Sequence, residues 1–173
     1  AANEGAVAAP TAGMHFSRHL MKRMEIKGIE KAFVTLHVGL GNFRTVDVED
    51  LSKHKMDSEQ FIVPEQAASL VNATKREGHK VVAIGTTVMR TLETAVSTGG
   101  MINPMEGWPN KIIISTYKIS EADAMDSNFH LPNSTQLMMV AAFGGYDRIM
   151  EAYKIARQEG YRFCTYGDAM LIL

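Results

Sequence analysis

Cysteine is almost absent from the sequence, with Cys164 as the single thiol among 173 residues. A disulfide framework is therefore excluded, because Cys164 has no partner in the chain. One thiol fits a reducing compartment, and we expect a cytoplasmic protein. Proline is also scarce, at 5 residues, and no proline- or serine-rich linker interrupts the chain. Because domains run to roughly 100–200 residues, we predict a single domain over residues 1–173.

Long apolar runs are missing as well. The longest, such as Leu137 to Phe143, fall far short of the roughly 18 residues that a membrane span requires. No signal peptide is visible, since the first basic residue is Arg18 and no charged start precedes an apolar stretch. We therefore expect no membrane partner.

The chain lacks an excess of charge of either sign, with 18 Lys+Arg against 19 Asp+Glu. This balance argues against nucleic-acid binding by bulk electrostatics, which needs many basic residues on one face. Local basic patches remain possible, and the alternative is that they are solvated helix ends and loops. The candidate clusters are Lys22, Arg23, Lys27 and Lys31; Lys53, His54 and Lys55; and Lys75, Arg76, His79 and Lys80.

What the sequence does contain is an alternation of helical and strand-like segments. Ser17 caps an apolar pattern of period 3.6, and Asn133 or Ser134 is placed to cap another. We predict helices at 17–27, 64–78, 86–97, 137–143 and 147–158, and strands at 31–38, 81–84 and 112–117. Strands separated by helices predict an α/β fold with a mixed, partly parallel sheet flanked by helices.

One segment places Gly85, Thr86 and Thr87 where a strand enters a helix. In open α/β sheets, ligands usually bind at that position. Arg90 falls in the predicted first turn, where the helix dipole disfavours a cation unless an anion compensates. An anionic ligand such as phosphate or carboxylate would do so, and a surface pair between Arg90 and Glu93 is an equally good interpretation.

Histidines mark three further places. His37 precedes two glycines at the end of a predicted strand, where a hydrogen-bonded structural histidine is the alternative interpretation. His130 lies beside the start of an apolar helix, whose amides attract negative charge. His15 and His19 are four residues apart, but the glutamate of a zinc motif is missing, and we expect no metal.

Several motifs together resemble one family, the S-adenosylmethionine:tRNA ribosyltransferase-isomerases of queuosine biosynthesis. The motifs occur in the family's order and run from end to end of the chain. They are GAVAAPTAGMHF at 5–16, AFVTLHVGLGNFR at 32–44, HKM at 54–56, GTT at 85–87 with RTLE at 90–93, NFHLP at 128–132 with ST at 134–135, and GYRF at 160–163 with YGDAMLIL at 166–173.

The resemblance covers the carboxyl-terminal half of the family. Together with Ala1 in place of an initiator methionine, it implies a carboxyl-terminal fragment of a longer protein. The fragment would hold most of the family's α/β subdomain without its β-barrel subdomain. We expect the isolated fragment to be inactive. We expect a monomer, as in the family, although a fragment can associate with itself through surface that the missing part normally covers.

The family resemblance also implies an activity. The ribosyl group of S-adenosylmethionine is transferred and isomerised onto 7-aminomethyl-7-deazaguanine in the tRNA anticodon, giving epoxyqueuosine and releasing adenine and methionine. The partners implied are S-adenosylmethionine as co-substrate and the anticodon arm of tRNA, with no bound cofactor. A base must remove a proton beside the sulfonium, and donors must stabilise the departing adenine and the opening ring oxygen.

Mapped onto this sequence, the resemblance implies two sets of site residues. Histidine titrates nearest neutral pH and suits proton transfer and leaving-group stabilisation. The candidate catalytic residues are His15, His37, His54 and His130, and the candidate substrate-binding residues are Thr86, Thr87, Arg90, Arg44, Lys55, Asn128 and Asp168.

The sequence departs from the family's pattern at three points. Asp57 stands where a histidine is expected, Val88 replaces a Ser or Thr, and 112–117 lacks a Pro-Gly turn. The alternative function is therefore a non-catalytic or altered-substrate paralogue that binds RNA or a nucleotide.

Overall fold

The computed structural model describes residues 2–40, 59–108, 113 and 117–173. Five residues named above, Arg44, His54, Lys55, Lys53 and Asp57, lie outside these ranges, as does most of the predicted strand 112–117. The roles predicted for the first three therefore stay predictions.

The described chain alternates short strands with helices. In order, the elements are the 3₁₀ helix η1 (Ala12–His15), α1 (Arg18–Ile26), β1 (Thr35–Leu36), β2 (Phe61–Val63), α2 (Glu65–Arg76), β3 (Val82–Ile84), α3 (Thr86–Ala95), β4 (Met105–Gly107), β5 (Ala124–Asn128), α4 (Thr135–Gly144), α5 (Tyr146–Gln158) and β6 (Ala169–Ile172).

The strands form two three-stranded sheets. The first has the order β1–β2–β4 and is antiparallel. The second has the order β3–β5–β6, with β3 parallel and β6 antiparallel to the central β5. The predicted α/β class with a partly parallel sheet is confirmed, although the described strands divide between two sheets.

Each sheet carries its own hydrophobic core. Ala83 and Met125 of the second sheet pack with α4 and α5, in a cluster that includes Val140 and Ile149. Around the first sheet, a separate cluster contains apolar residues from β2, α2 and α3. Helix α3 touches both sheets, because Met89 belongs to one cluster and Leu92 and Ala95 to the other. It thereby links the two sheets.

Local signals predicted the helix starts well. Ser17 and Ser134 both cap their helices, since their hydroxyls accept hydrogen bonds from the backbone N–H groups of Leu20 and Leu137. Helix α3 differs from the prediction, because Gly85 and not a threonine occupies its N-cap, with no side-chain cap. Its φ of 102° is one that glycine adopts without strain.

The strand predictions were less accurate. The strand predicted at 31–38 shrinks to Thr35–Leu36, and β2, β4, β5 and β6 were not predicted. Among the described residues, no helix has both the length and the apolar character needed to cross a membrane.

Candidate functional site

The candidate site lies at the carboxyl ends of β3 and β5. These parallel strands pair in register with Ile84 opposite Asp126, so Asp126 sits beside the start of α3. The backbone N–H of Gly85 also donates to the carbonyl of Asp126 at 2.7 Å. The predicted ligand position at Gly85, Thr86 and Thr87 therefore lies next to β5, a strand that the sequence analysis missed.

The 3₁₀ helix η1 brings His15 to the same edge. A Cβ on Gly85 would lie 3.5 Å from Cβ of Ala12, so η1 packs against the turn before α3. At the end of η1, Nε2 of His15 lies 3.0 Å from Nδ2 of Asn128, the last residue of β5. The ring of His15 is exposed, whereas Asn128 is buried.

The turn before β6 borders the site on one side. Asn128 pairs in register with Ala169, which places Asp168 beside it. The carboxylate of Asp168 accepts hydrogen bonds from the backbone N–H of Arg162 at 2.7 Å and from its guanidinium at 3.0 Å. These bonds hold the pKa of Asp168 below its usual range. Asp168 is thus already paired with Arg162, and it lies near Asn128 and His15.

Asp126 is the main electrostatic feature of the site. Its side chain is buried, and burial raises its pKa, while the nearby His15 and a backbone hydrogen bond from Ser127 act in the opposite direction. A carboxyl group with a raised pKa beside a histidine suits proton exchange with a ligand. Asp126 was not predicted as a site residue, although it begins a run of three polar residues, Asp126, Ser127 and Asn128.

His130 lies in a different environment. Its Nε2 is 2.8 Å from Oγ of Ser127, and its backbone N–H donates to the hydroxyl of Tyr153 at 3.1 Å. Burial lowers its pKa to about 4, so His130 is neutral near pH 7. Ser127 points to the face of the sheet opposite Asp126 and Asn128, because side chains alternate along a strand. His130 is therefore held by core residues on that opposite face.

His37 follows β1 in the first sheet. Its backbone N–H donates to the carbonyl of Gln60 at 2.8 Å. Gly5 lies so close to the ring that a Cβ there would be 2.7 Å from Nδ1. Nδ1 is buried and has no hydrogen-bond partner among the described residues.

Arg90 does not occupy the position that the sequence suggested. It is the fifth residue of α3 and lies beyond the first turn. The side chain of Arg90 is 3% exposed, and its guanidinium is ion-paired with Glu59, which is also buried. Burial lowers the pKa of Arg90 to about 10. The predicted surface pair with Glu93 is wrong, because Arg90 and Glu93 are both buried.

Glu93 instead organises a loop. Its carboxylate accepts hydrogen bonds from the hydroxyl of Tyr117 and from the backbone N–H groups of Ser120 and Glu121, all at 2.7–2.8 Å. Burial and the neighbouring Glu93 carboxylate raise the pKa of Tyr117 to about 12.

The fold and site together define an α/β protein whose candidate site, at the ends of parallel strands, combines a helix N-terminus, a buried carboxyl group and a histidine. The profile of the queuosine biosynthesis protein family matches residues 1–172. The chain belongs to that family.

Known relatives agree with this assignment. A curated S-adenosylmethionine:tRNA ribosyltransferase-isomerase of Bacteroides fragilis is 65% identical over all 173 residues, and that of Moorella thermoacetica is 50% identical over the same span. The chain spans 49% and 51% of these two proteins, about half of their length.

A solved structure is similar as well. The crystal structure of an S-adenosylmethionine tRNA ribosyltransferase from Thermotoga maritima matches with a TM-score of 0.78 and 39% sequence identity. The match covers 94% of this chain and 52% of that protein.

Proposed function

We propose that this chain is the part of an S-adenosylmethionine:tRNA ribosyltransferase-isomerase that supplies histidine and carboxylate groups to the reaction. The reaction would move and isomerise the ribosyl group of S-adenosylmethionine onto 7-aminomethyl-7-deazaguanine in tRNA, with release of adenine and methionine. The observation that carries the proposal is the buried Asp126 within electrostatic reach of His15, at the strand ends of a chain from this family.

Charge complementarity supports S-adenosylmethionine as the ligand. Its sulfonium is a cation, and the site presents the carboxyl group of Asp126 beside the Asp168–Arg162 ion pair. Its methionine part also carries a carboxylate, which the N-terminus of α3 can hold through backbone N–H groups at Thr86 and Thr87. No side chain caps this helix end, so a ligand carboxylate can take the place of a cap.

The chemistry needs a base and a hydrogen-bond donor. The sulfonium makes the proton on the neighbouring ribose carbon acidic, and a positioned base removes it. A donor must stabilise the departing adenine or the opening ring oxygen. His15 and Asp126 are candidates because they lie together at the site, and His37 is a candidate because its buried Nδ1 has no partner in the described part of the chain.

Transfer RNA as the second substrate follows from the same family. The reacting base must leave its stack to enter a pocket, as other base-modifying enzymes require. Contact with the anticodon arm, the roles of Arg44 and Lys55, a monomeric state and a cytoplasmic location stay predictions.

The decisive experiment measures adenine release from S-adenosylmethionine. A protein of the family's full length that carries this chain is assayed with tRNA bearing the aminomethyl-deazaguanine and with unmodified tRNA, beside the 173-residue chain. We expect adenine only with the full-length protein and the modified tRNA. A folded full-length protein that binds S-adenosylmethionine but releases no adenine would favour a binding role instead.

A further inference from the structure

The contact between Asn128 and His15 determines which ring nitrogen of His15 carries the proton. Nδ2 of Asn128 lies 3.0 Å from Nε2 of His15, 3.4 Å from the carbonyl oxygen of Cys164 and 3.5 Å from that of Asp168. Carbonyl oxygens only accept hydrogen bonds, so the amide must turn its NH₂ group, and not its oxygen, toward this group of atoms. The orientation of the amide is thus set by the backbone of the turn before β6.

An amide N–H that points at Nε2 dictates the proton arrangement on His15. Nε2 must accept the hydrogen bond, so in the neutral ring the proton sits on Nδ1. The opposite tautomer would set two N–H groups against each other. Nε2 faces Asn128, which is only 2% exposed, whereas His15 as a residue is exposed to solvent.

We propose that Asn128 is a positioning residue that holds neutral His15 with its proton on Nδ1, so that His15 serves the reaction as a hydrogen-bond donor and not as the base. A neutral imidazole can stabilise charge that develops on an oxygen or nitrogen during bond cleavage. No proton leaves His15 in this role. Removal of the ribose proton then belongs to another group. The part of this inference that concerns the reaction rests on the proposed function, whereas the tautomer of His15 does not.

The tautomer can be measured directly on this chain. Long-range proton–nitrogen NMR spectra distinguish the two neutral forms of each histidine, and at about pH 8 an ordinary imidazole is neutral. We expect His15 to be protonated on Nδ1. A spectrum that shows the proton on Nε2 would overturn the inference, and this measurement needs no variant and no activity.

A matched pair of variants tests the role of Asn128. Asn128→Ala should release His15 from the Nδ1–H form, whereas Asn72→Ala should leave its spectrum unchanged. Asn72 is an equally structural asparagine, because its amide both donates to and accepts from the backbone of Ile102, far from His15 in the fold. A spectrum of His15 that is the same in Asn128→Ala as in the unsubstituted chain would count against the inference.

The activity of two His15 variants of the full-length protein distinguishes a donor role of His15 from a base role. His15→Asn places an amide N–H near the former position of Nδ1 but supplies no base. A positioned catalytic group contributes roughly 100- to 10,000-fold to the rate. If His15 acts as a donor, His15→Asn should therefore keep a kcat at least about tenfold higher than that of His15→Ala. Equal loss in both variants would contradict the donor role. Absence of adenine release from the unsubstituted full-length protein would instead refute the proposed function and leave the tautomer result standing.

Discussion

Glu59 joins two separate segments of the chain through a single buried carboxylate. One oxygen accepts a hydrogen bond from the backbone N–H of Gly39 at 2.6 Å, and the other is ion-paired with Arg90 of α3. Gly39 lies two residues after His37, so this contact ties the chain after β1 to the helix whose N-terminus borders the candidate site. A buried pair of this kind is costly to break, because one charge remains without its partner.

We expect Glu59→Gln to lower the free energy of unfolding by about 3–5 kcal/mol, as loss of one partner from a buried ion pair typically does. Urea denaturation measures the change. Glu151→Gln is the control, because the Lys154–Glu151 pair is exposed and its loss should cost at most about 1 kcal/mol. The double variant Glu59→Gln/Arg90→Met should lose less than the sum of the two single losses, and strict additivity would contradict a direct coupling.

His130 predicts a dependence of stability on pH. Its pKa is lowered to about 4 by burial, against about 6.5 in the unfolded chain, so the unfolded state binds more protons between these values. Above about pH 6.5, His130 is neutral in both states and does not reduce the free energy of unfolding. As pH falls from there toward 4, the free energy of unfolding decreases by about 3 kcal/mol in total.

His130→Asn should flatten that part of the profile, measured by urea denaturation across the same pH range. His79→Gln serves as the control, because His79 is largely exposed and should leave the profile unchanged. A profile that is identical in the His130→Asn and unsubstituted chains would show that His130 does not cause the slope.

Asp126 is expected to reduce stability at neutral pH. Burial raises its pKa, so the folded state binds the proton more tightly than the unfolded state. Folding is therefore favoured as pH falls through that raised pKa, and the ionised carboxylate costs stability above it. Asp126→Asn should accordingly raise the melting temperature of the chain at pH 7 and, in a full-length protein, lower adenine release. A lower melting temperature would show that the carboxylate stabilises the fold.

Substitution of Gly167 tests whether the turn before β6 can accommodate a side chain. A Cβ there would clash with the carbonyl oxygen of Arg162 and lie 2.6 Å from the carbonyl carbon of Phe163, and backbone atoms cannot move aside cheaply. We expect Gly167→Ala to cost about 1–3 kcal/mol or more, in the range of overpacked sites.

Gly13→Ala is the matched control, because no atom lies within 4 Å of a Cβ at that position. Its free energy of unfolding should stay within about 0.5 kcal/mol of the unsubstituted chain. Since the turn orients Asn128, Gly167→Ala should also disturb the NMR signals of His15. Unchanged stability in Gly167→Ala would mean that the turn adapts.

Local sequence signals predicted those features that depend on neighbours in the chain. Ser17 and Ser134 cap helices because a serine hydroxyl reaches an N–H three residues later, whatever the rest of the fold does. Strand β5 was not predicted, because it depends on distant parts of the chain. Asp126 and Asn128 are of residue types that are depleted in strands, yet all five residues of β5 are buried between β3 and β6.

The sequence alone thus determined the α/β class, the helix starts and, through its ordered motifs, the family to which the chain belongs. The tertiary structure decided which polar groups meet. Arg90 pairs with Glu59, 31 residues away, a partner that sequence spacing did not suggest. His15 meets Asn128 across 113 residues, and the backbone of a third segment fixes how they meet. Contacts over such distances depend on strand pairing and helix packing, which no local pattern encodes.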